Sequence, residues 1–144
     1  MKPFSDCFCL VVLLFVLMTA PSGFALSTAD AAKCFDAYNA AFYVQSGTNG
    51  YFKNTQTDGT EYFWSQAEEI ECVIDAYEWT TNTAYLGIIT NLLNGFLTDN
   101  GSSWTWNMYN DDNMWAVMAF SRGGKDTGNT NYCRIAKANW RHGL

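Results

Sequence analysis

Two aspartates stand side by side in the stretch Tyr109-Asn110-Asp111-Asp112-Asn113-Met114-Trp115. Neighbouring carboxylates ahead of an apolar run suit two tasks. Asp and Asn favour the first turn of a helix, where they accept orphan N–H groups and face the positive end of the helix dipole. The other task is acid–base and nucleophilic chemistry. Two carboxylates in a partly desolvated groove resist ionising together, so one serves as proton donor and the other as charged nucleophile.

Spacing narrows the second task. Cleavage of a glycosidic bond uses a carboxyl pair about 5–5.5 Å apart when the anomeric configuration is retained and about 6.5–9.5 Å apart when it is inverted. Adjacent Cα atoms are ~3.8 Å apart, so neighbouring aspartates fit the shorter separation and a retaining reaction. Trp64, Trp79, Trp104, Trp106, Trp115 and Trp140 supply large rings that either fill a core or offer flat faces to sugars.

Charge excludes one class of partner. The net charge is −6, and Lys and Arg are scattered without a cluster, so phosphate backbones find no footing and nucleic acid is not expected. His142 is the single histidine, and no cysteine spacing resembles a zinc site. No metal or cofactor is implied.

The chain opens with Lys2, an apolar run from Cys7 to Met18, and small residues at Gly23 and Ala25. This is the layout of a secretory signal peptide over residues 1–25, and the run is short of the ~20 residues a membrane span needs. Residues 26–144 are therefore expected as one exported, extracellular domain with no membrane span. Cys34, Cys72 and Cys133 would remain, enough for one disulfide and a leftover thiol. Asn100-Gly101-Ser102 is an N-glycosylation sequon in an expected loop.

Apolar residues recur at helical spacing in five segments, and no segment of comparable length alternates as a strand would. The segments carry Ala31 to Phe42, Ala67 to Tyr77, Tyr85 to Phe96, Met114 to Phe120 and Tyr132 to Trp140. The fourth is apolar nearly all round, which implies burial on most sides. Ser46-Gly47-Thr48-Asn49-Gly50 and Thr98-Asp99-Asn100-Gly101-Ser102-Ser103 read as connectors.

Thr80-Thr81-Asn82-Thr83-Ala84-Tyr85 recurs as Thr127-Gly128-Asn129-Thr130-Asn131-Tyr132, an offset of 47 residues. Repeats of this length built from helix, tight turn and helix stack as arrays in which each hairpin covers the next. The expected fold is all-α, a helical hairpin array forming part of a toroid. Gly123-Gly124 inside the fourth helix is the local exception, since each glycine costs roughly 1 kcal/mol there relative to alanine.

Tyr109 to Trp115, followed by Ala116-Val117-Met118-Ala119-Phe120-Ser121-Arg122, Thr127-Gly128-Asn129 and Tyr132, resembles the signature region of glycoside hydrolase family 76, the endo-α-1,6-mannanases. Trp64-Ser65-Gln66-Ala67-Glu68 and Asp75-Ala76-Tyr77-Glu78-Trp79-Thr80 are similar to the family's preceding inner helix and its turn. The resemblance covers Ala31 to Trp140, the family's N-terminal third. It implies a partial (α/α)6 barrel and retaining hydrolysis of α-1,6-linked mannan or a mannose-rich cell-wall glycan. Asp111 would be the nucleophile and Asp112 the general acid/base. Tyr109 and Asn110 would orient sugar hydroxyls or the carboxylates, with Trp106 and Trp64 as stacking faces. A truncated copy of such an enzyme, or a non-catalytic glycan-binding or interaction protein derived from it, is the accompanying expectation.

Overall fold

A computed structural model of the protein describes residues 27–57, 59 and 61–140. The expected signal segment, residues 1–25, lies outside the described residues. The chain divides after Ala31 into two units. Of the first, the described part is the start of helix α1, Thr28–Phe42. The Asp30 N–H donates to Ser27 Oγ at 3.2 Å, while the Ser27 N–H and hydroxyl donate to Asp30 Oδ2 at 3.1 and 2.6 Å. This reciprocal cap satisfies two donors that the helix end leaves free.

The second unit holds the rest. A small hairpin of β1, Tyr43–Ser46, and β2, Asn49–Phe52, pairs antiparallel with Tyr43 opposite Phe52 and Ser46 opposite Asn49. Four long segments follow: α2, Phe63–Thr80; α3, Ala84–Asn100; α4, Asn110–Thr127; and α5, Thr130–Trp140. The fold is helical, as expected, and consists of the hairpins α2–α3 and α4–α5 with α1 and the β-hairpin beside them. The strands are a correction to the expected connector: Ser46, Asn49 and Gly50 belong to a β-hairpin. Each strand is four residues long, too short for alternation to register against the helical signal on either side.

The repeat survives in three dimensions. Thr80 and Thr127 are the last residues of α2 and α4, and each hydroxyl donates to the carbonyl four residues back at 2.6 Å. The next residues, Thr81 and Gly128, are both left-handed, with φ of 56° and 70°. Then Asn82 Oδ1 accepts the Ala84 N–H at 3.1 Å, and Asn129 Oδ1 accepts the Asn131 N–H at 3.0 Å. The same side chains close both turns, so the 47-residue offset has a stereochemical cause.

Between the layers lie Ile70, Val73 and Ile74 of α2, Ile89, Leu93 and Phe96 of α3, Ala116 and Phe120 of α4, and Ile135 of α5, all buried. Phe96, Phe120 and the loop residue Trp104 form a triangle of edge-on rings with centroids 5.2 to 5.5 Å apart, the favoured aromatic geometry. Gly123 and Gly124 acquire a reason here. A Cβ on Gly123 would come within 2.8 Å of Leu93 Cδ1, and one on Gly124 within 2.9 Å of the Cys133 backbone nitrogen. The glycines let α4 approach α3 and α5 closely. Helix α4 is not enclosed on most sides, however: Trp115 and Met118 are exposed, so its outward apolar residues face water. Cys34, Cys72 and Cys133 are all free thiols, and no disulfide joins them.

Candidate active site

The loop between α3 and α4 is fixed from below before it delivers the acidic pair. Gly101 ends α3 at φ 72°, and Trp104 then enters the core, 1 % exposed. Its backbone N–H donates to Asn139 Oδ1 on α5 at 2.8 Å, and its indole N–H to the Gly101 carbonyl at 3.0 Å. Asn139 Nδ2 in turn donates to the Ser102 and Ile135 carbonyls, each at 3.0 Å. A buried amide satisfied on both sides holds backbone in place. The Asn107 N–H donates to the Trp104 carbonyl at 3.0 Å, which carries the anchorage up to the surface.

Helix α4 starts there. Its N-cap is Tyr109, extended at φ −95° and ψ 108° and without a side-chain cap. Neither aspartate occupies the cap position; Asp111 and Asp112 lie in the first turn, where the helix dipole favours negative charge. Their environments differ. Asp112 is partly buried, and its Oδ2 accepts a hydrogen bond from Asn107 Nδ2 at 3.3 Å. Asp111 is exposed and takes no side-chain hydrogen bond among the described residues.

An open groove of about 430 Å³ lies against this turn, lined by Tyr62, Phe63, Trp64, Trp106, Asn107, Tyr109 and Asp112. Trp64, Trp106, Tyr109 and Asp112, all singled out in the sequence, meet there. Asn110 and Asp111 are on the same helical turn but are not among the lining residues. Phe63 braces the floor, edge-on to Trp106 with centroids 5.5 Å apart and an interplanar angle of 83°, and tilted against Phe96 at 4.9 Å. Trp106 itself is 60 % exposed. Its ring is held upright by Phe63 yet open to a ligand.

Tyr62, Phe63 and Asn107 escaped the sequence reading. Phe63 and Tyr62 adjoin Trp64, so an aromatic triplet at the start of α2 was the available signal. Asn107 carried one as well: its Oδ1 accepts the Tyr109 N–H at 3.1 Å, the local turn that Asn favours two residues ahead of a donor. Among the described residues the lining is five aromatic side chains, Phe63 among them as the brace, one amide and a single carboxylate. Such a surface suits neutral, hydroxyl-rich ligands that present an apolar face.

Charge concentrates elsewhere. On the side of α2 facing α4, Arg122 bridges Glu71, Asp75 at 2.6 Å and Glu78 at 2.9 Å. Burial pushes the Glu71 carboxyl up, although the Arg122 guanidinium pulls it down. Among the described residues no group of three or more His, Cys, Asp and Glu side chains is placed to hold a metal ion. No described helix is long and apolar enough to cross a membrane.

Stacked helical hairpins thus present a carboxylate beside aromatic rings in an open groove, a surface suited to a glycan. The sequence model of Glycosyl hydrolase family 76 matches residues 26–143, and the chain belongs to that family. Its ligand class is accordingly a glycan. No curated protein matches the chain.

Proposed function

We propose that the protein is a secreted glycoside hydrolase that cleaves α-1,6-linked mannan with retention of configuration. The observation that carries this reading is the position of Asp112, among the described residues the one carboxylate lining an aromatic groove, directly beside a second carboxylate, Asp111. Asp111 attacks the anomeric carbon as Asp112 protonates the departing glycosidic oxygen, leaving a glycosyl ester on Asp111. Asp112 then takes a proton from water, which displaces Asp111 and releases the sugar. Tyr109 and Asn110 orient hydroxyls or the carboxylates, and Trp106 and Trp64 supply stacking faces. The reaction so written calls for no metal or cofactor, and the N-terminal layout of residues 1–25 supports export.

The test is hydrolysis of α-1,6-mannan by the chain from residue 26, followed by reducing-end release and by the anomeric form of the first product. Asp111→Asn and Asp112→Asn should each lower turnover by several orders of magnitude. Unchanged activity in both variants would sink the assignment, and an inverted product would remove Asp111 as nucleophile. A second reading, a glycan-binding protein without turnover, is favoured by one observation: Asp111 is exposed and does not line the groove. It predicts saturable mannan binding with no product.

A further inference from the structure

We propose that Asn107 is a positioning residue for Asp112. It holds Oδ2 of that carboxylate and so reserves Oδ1 for proton exchange with the substrate. The inference rests on the reading of Asp112 as general acid/base.

Three hydrogen bonds make Asn107 a junction rather than a bystander. Nδ2 donates to Asp112 Oδ2 at 3.3 Å, Oδ1 accepts the Tyr109 N–H at 3.1 Å, and the backbone carbonyl accepts Asn113 Nδ2 at 3.0 Å. Asn113 is 5 % exposed, so the amide that grips the Asn107 backbone does so from within the core. Asn113 follows Asp112 directly in α4. The loop and the first helical turn are therefore clamped twice, by a buried amide under the backbone and by a surface amide on the reacting carboxylate. Among the described residues Oδ1 of Asp112 takes no hydrogen bond.

Side-chain chemistry explains why position 107 needs an amide. One end must donate to a carboxylate and the other must accept a backbone N–H two residues on. Aspartate keeps only the acceptor, serine is too short to reach both, and glutamine moves the fork a carbon outward. The 3.3 Å separation is at the long end for a hydrogen bond, as catalytic contacts often are before the substrate closes the site. Asn107 also lines the groove, so a bound sugar would compress this contact.

The same asymmetry separates two aspartates that look equivalent in sequence. Asp112 is gripped on one oxygen and lines the groove; Asp111 is exposed, takes no side-chain hydrogen bond among the described residues and does not line it. Among the described residues, the titratable groups that share the first turn of α4 or the groove lining with Asp112 are Asp111, Tyr109 and Tyr62. None of these is a cation. Asn107 is thus the donor that stands against the neighbouring carboxylate.

Asn107→Asp is the decisive variant, because it keeps shape and the Tyr109 acceptor while replacing the donor by a second negative charge. Asn107→Ala removes both ends, and thermal melting reports whether each variant folds. Carboxyl-carbon NMR of the full chain then follows Asp112 against pH, whether or not the protein turns over. The expected result is an Asp112 midpoint raised in both variants, by about one pH unit in Asn107→Asp. With α-1,6-mannan, kcat should drop about 10-fold or more at nearly constant KM, and the basic limb of the kcat profile should move to higher pH. An Asp112 midpoint unmoved in folded Asn107→Asp overturns the proposal. Loss of turnover in Asp112→Asn alongside an unchanged profile in Asn107→Asp also overturns it. If Asp112→Asn retains full turnover while the midpoint moves, the acid/base reading fails instead and the Asn107 contact stands.

Discussion

The phenol of Tyr38 donates to Oε1 of Glu69 across 2.9 Å, tying α1 to α2. Glu69 is partly buried, and burial raises its carboxyl to about 7, more than the Tyr38 hydrogen bond lowers it, with Glu61 adding a smaller upward push. Burial and the same carboxylate push the Tyr38 phenol well above its ordinary value. A charged Glu69 is therefore accommodated at a cost.

That cost makes stability depend on pH in a defined direction. The folded chain binds the Glu69 proton more tightly than the unfolded chain, whose carboxyl sits near 4.5. The linked stability is fully present below 4.5 and is lost as pH rises through about 7. Solvent screening at a side chain partly open to water reduces the effect to on the order of 1 kcal/mol. Glu69→Gln should flatten this part of the stability profile and raise the melting temperature above pH 7, and an unchanged slope would assign it to other groups.

Two glycines of α3 predict opposite outcomes for one substitution. A Cβ on buried Gly95 would run into the carbonyl, carbon and nitrogen of Gly50, backbone atoms of β2 that have no rotamer to escape into. Gly95→Ala should destabilise the fold by about 1–3 kcal/mol through overpacking. At exposed Gly87 an added Cβ meets nothing within 4 Å, so Gly87→Ala should stabilise by up to about 1 kcal/mol. Chemical denaturation of the two variants measures both, and equal effects would mean the β-hairpin does not rest on Gly95.

Arg122 of α4 faces three carboxylates of α2, Glu71, Asp75 and Glu78. Glu71 Oε1 is buried without a partner of its own. Arg122→Ala should cost on the order of 1–2 kcal/mol, since it leaves the acids to repel one another in a partly exposed cluster. The loss should shrink in 1 M salt, where the screening length falls to about 3 Å. A loss independent of salt would point to the packing of the arginine stem.

What was legible in the sequence was local chemistry repeated. The Thr-Asn turns at Thr80 and Thr127 could be read because each is closed by its own side chains. What could not be read depends on partners far along the chain. Trp104 and Trp106 are two residues apart and identical in type, yet one is core and the other groove, because Asn139 on α5 pins the first. Asn100 looked like a loop sequon, but it ends α3, and its Nδ2, the atom a glycan would occupy, donates to Gln66 Oε1 and the Phe96 carbonyl at 3.2 Å. The pairing of Asp111 and Asp112 is visible in the sequence, whereas the distinction between them depends on the contact from Asn107.

Trp106 and Trp115 provide the last contrast. Both rings are exposed, at 60 % and 38 %, but Trp106 lines the groove against Phe63 while Trp115, on α4, is not among the lining residues. If sugars bind by stacking there, Trp106→Ala should weaken binding of an α-1,6-linked mannose oligosaccharide about 10-fold, or ~1.4 kcal/mol, near the worth of one aromatic contact. Trp115→Ala should leave affinity within about 2-fold, a change too small for a lost stacking contact. Because Trp106 buries little, its melting temperature should barely move, which separates recognition from folding. Titration calorimetry on the two variants decides the matter: equal losses would detach glycan binding from the groove, and a loss confined to Trp115→Ala would move the site to the outer face of α4.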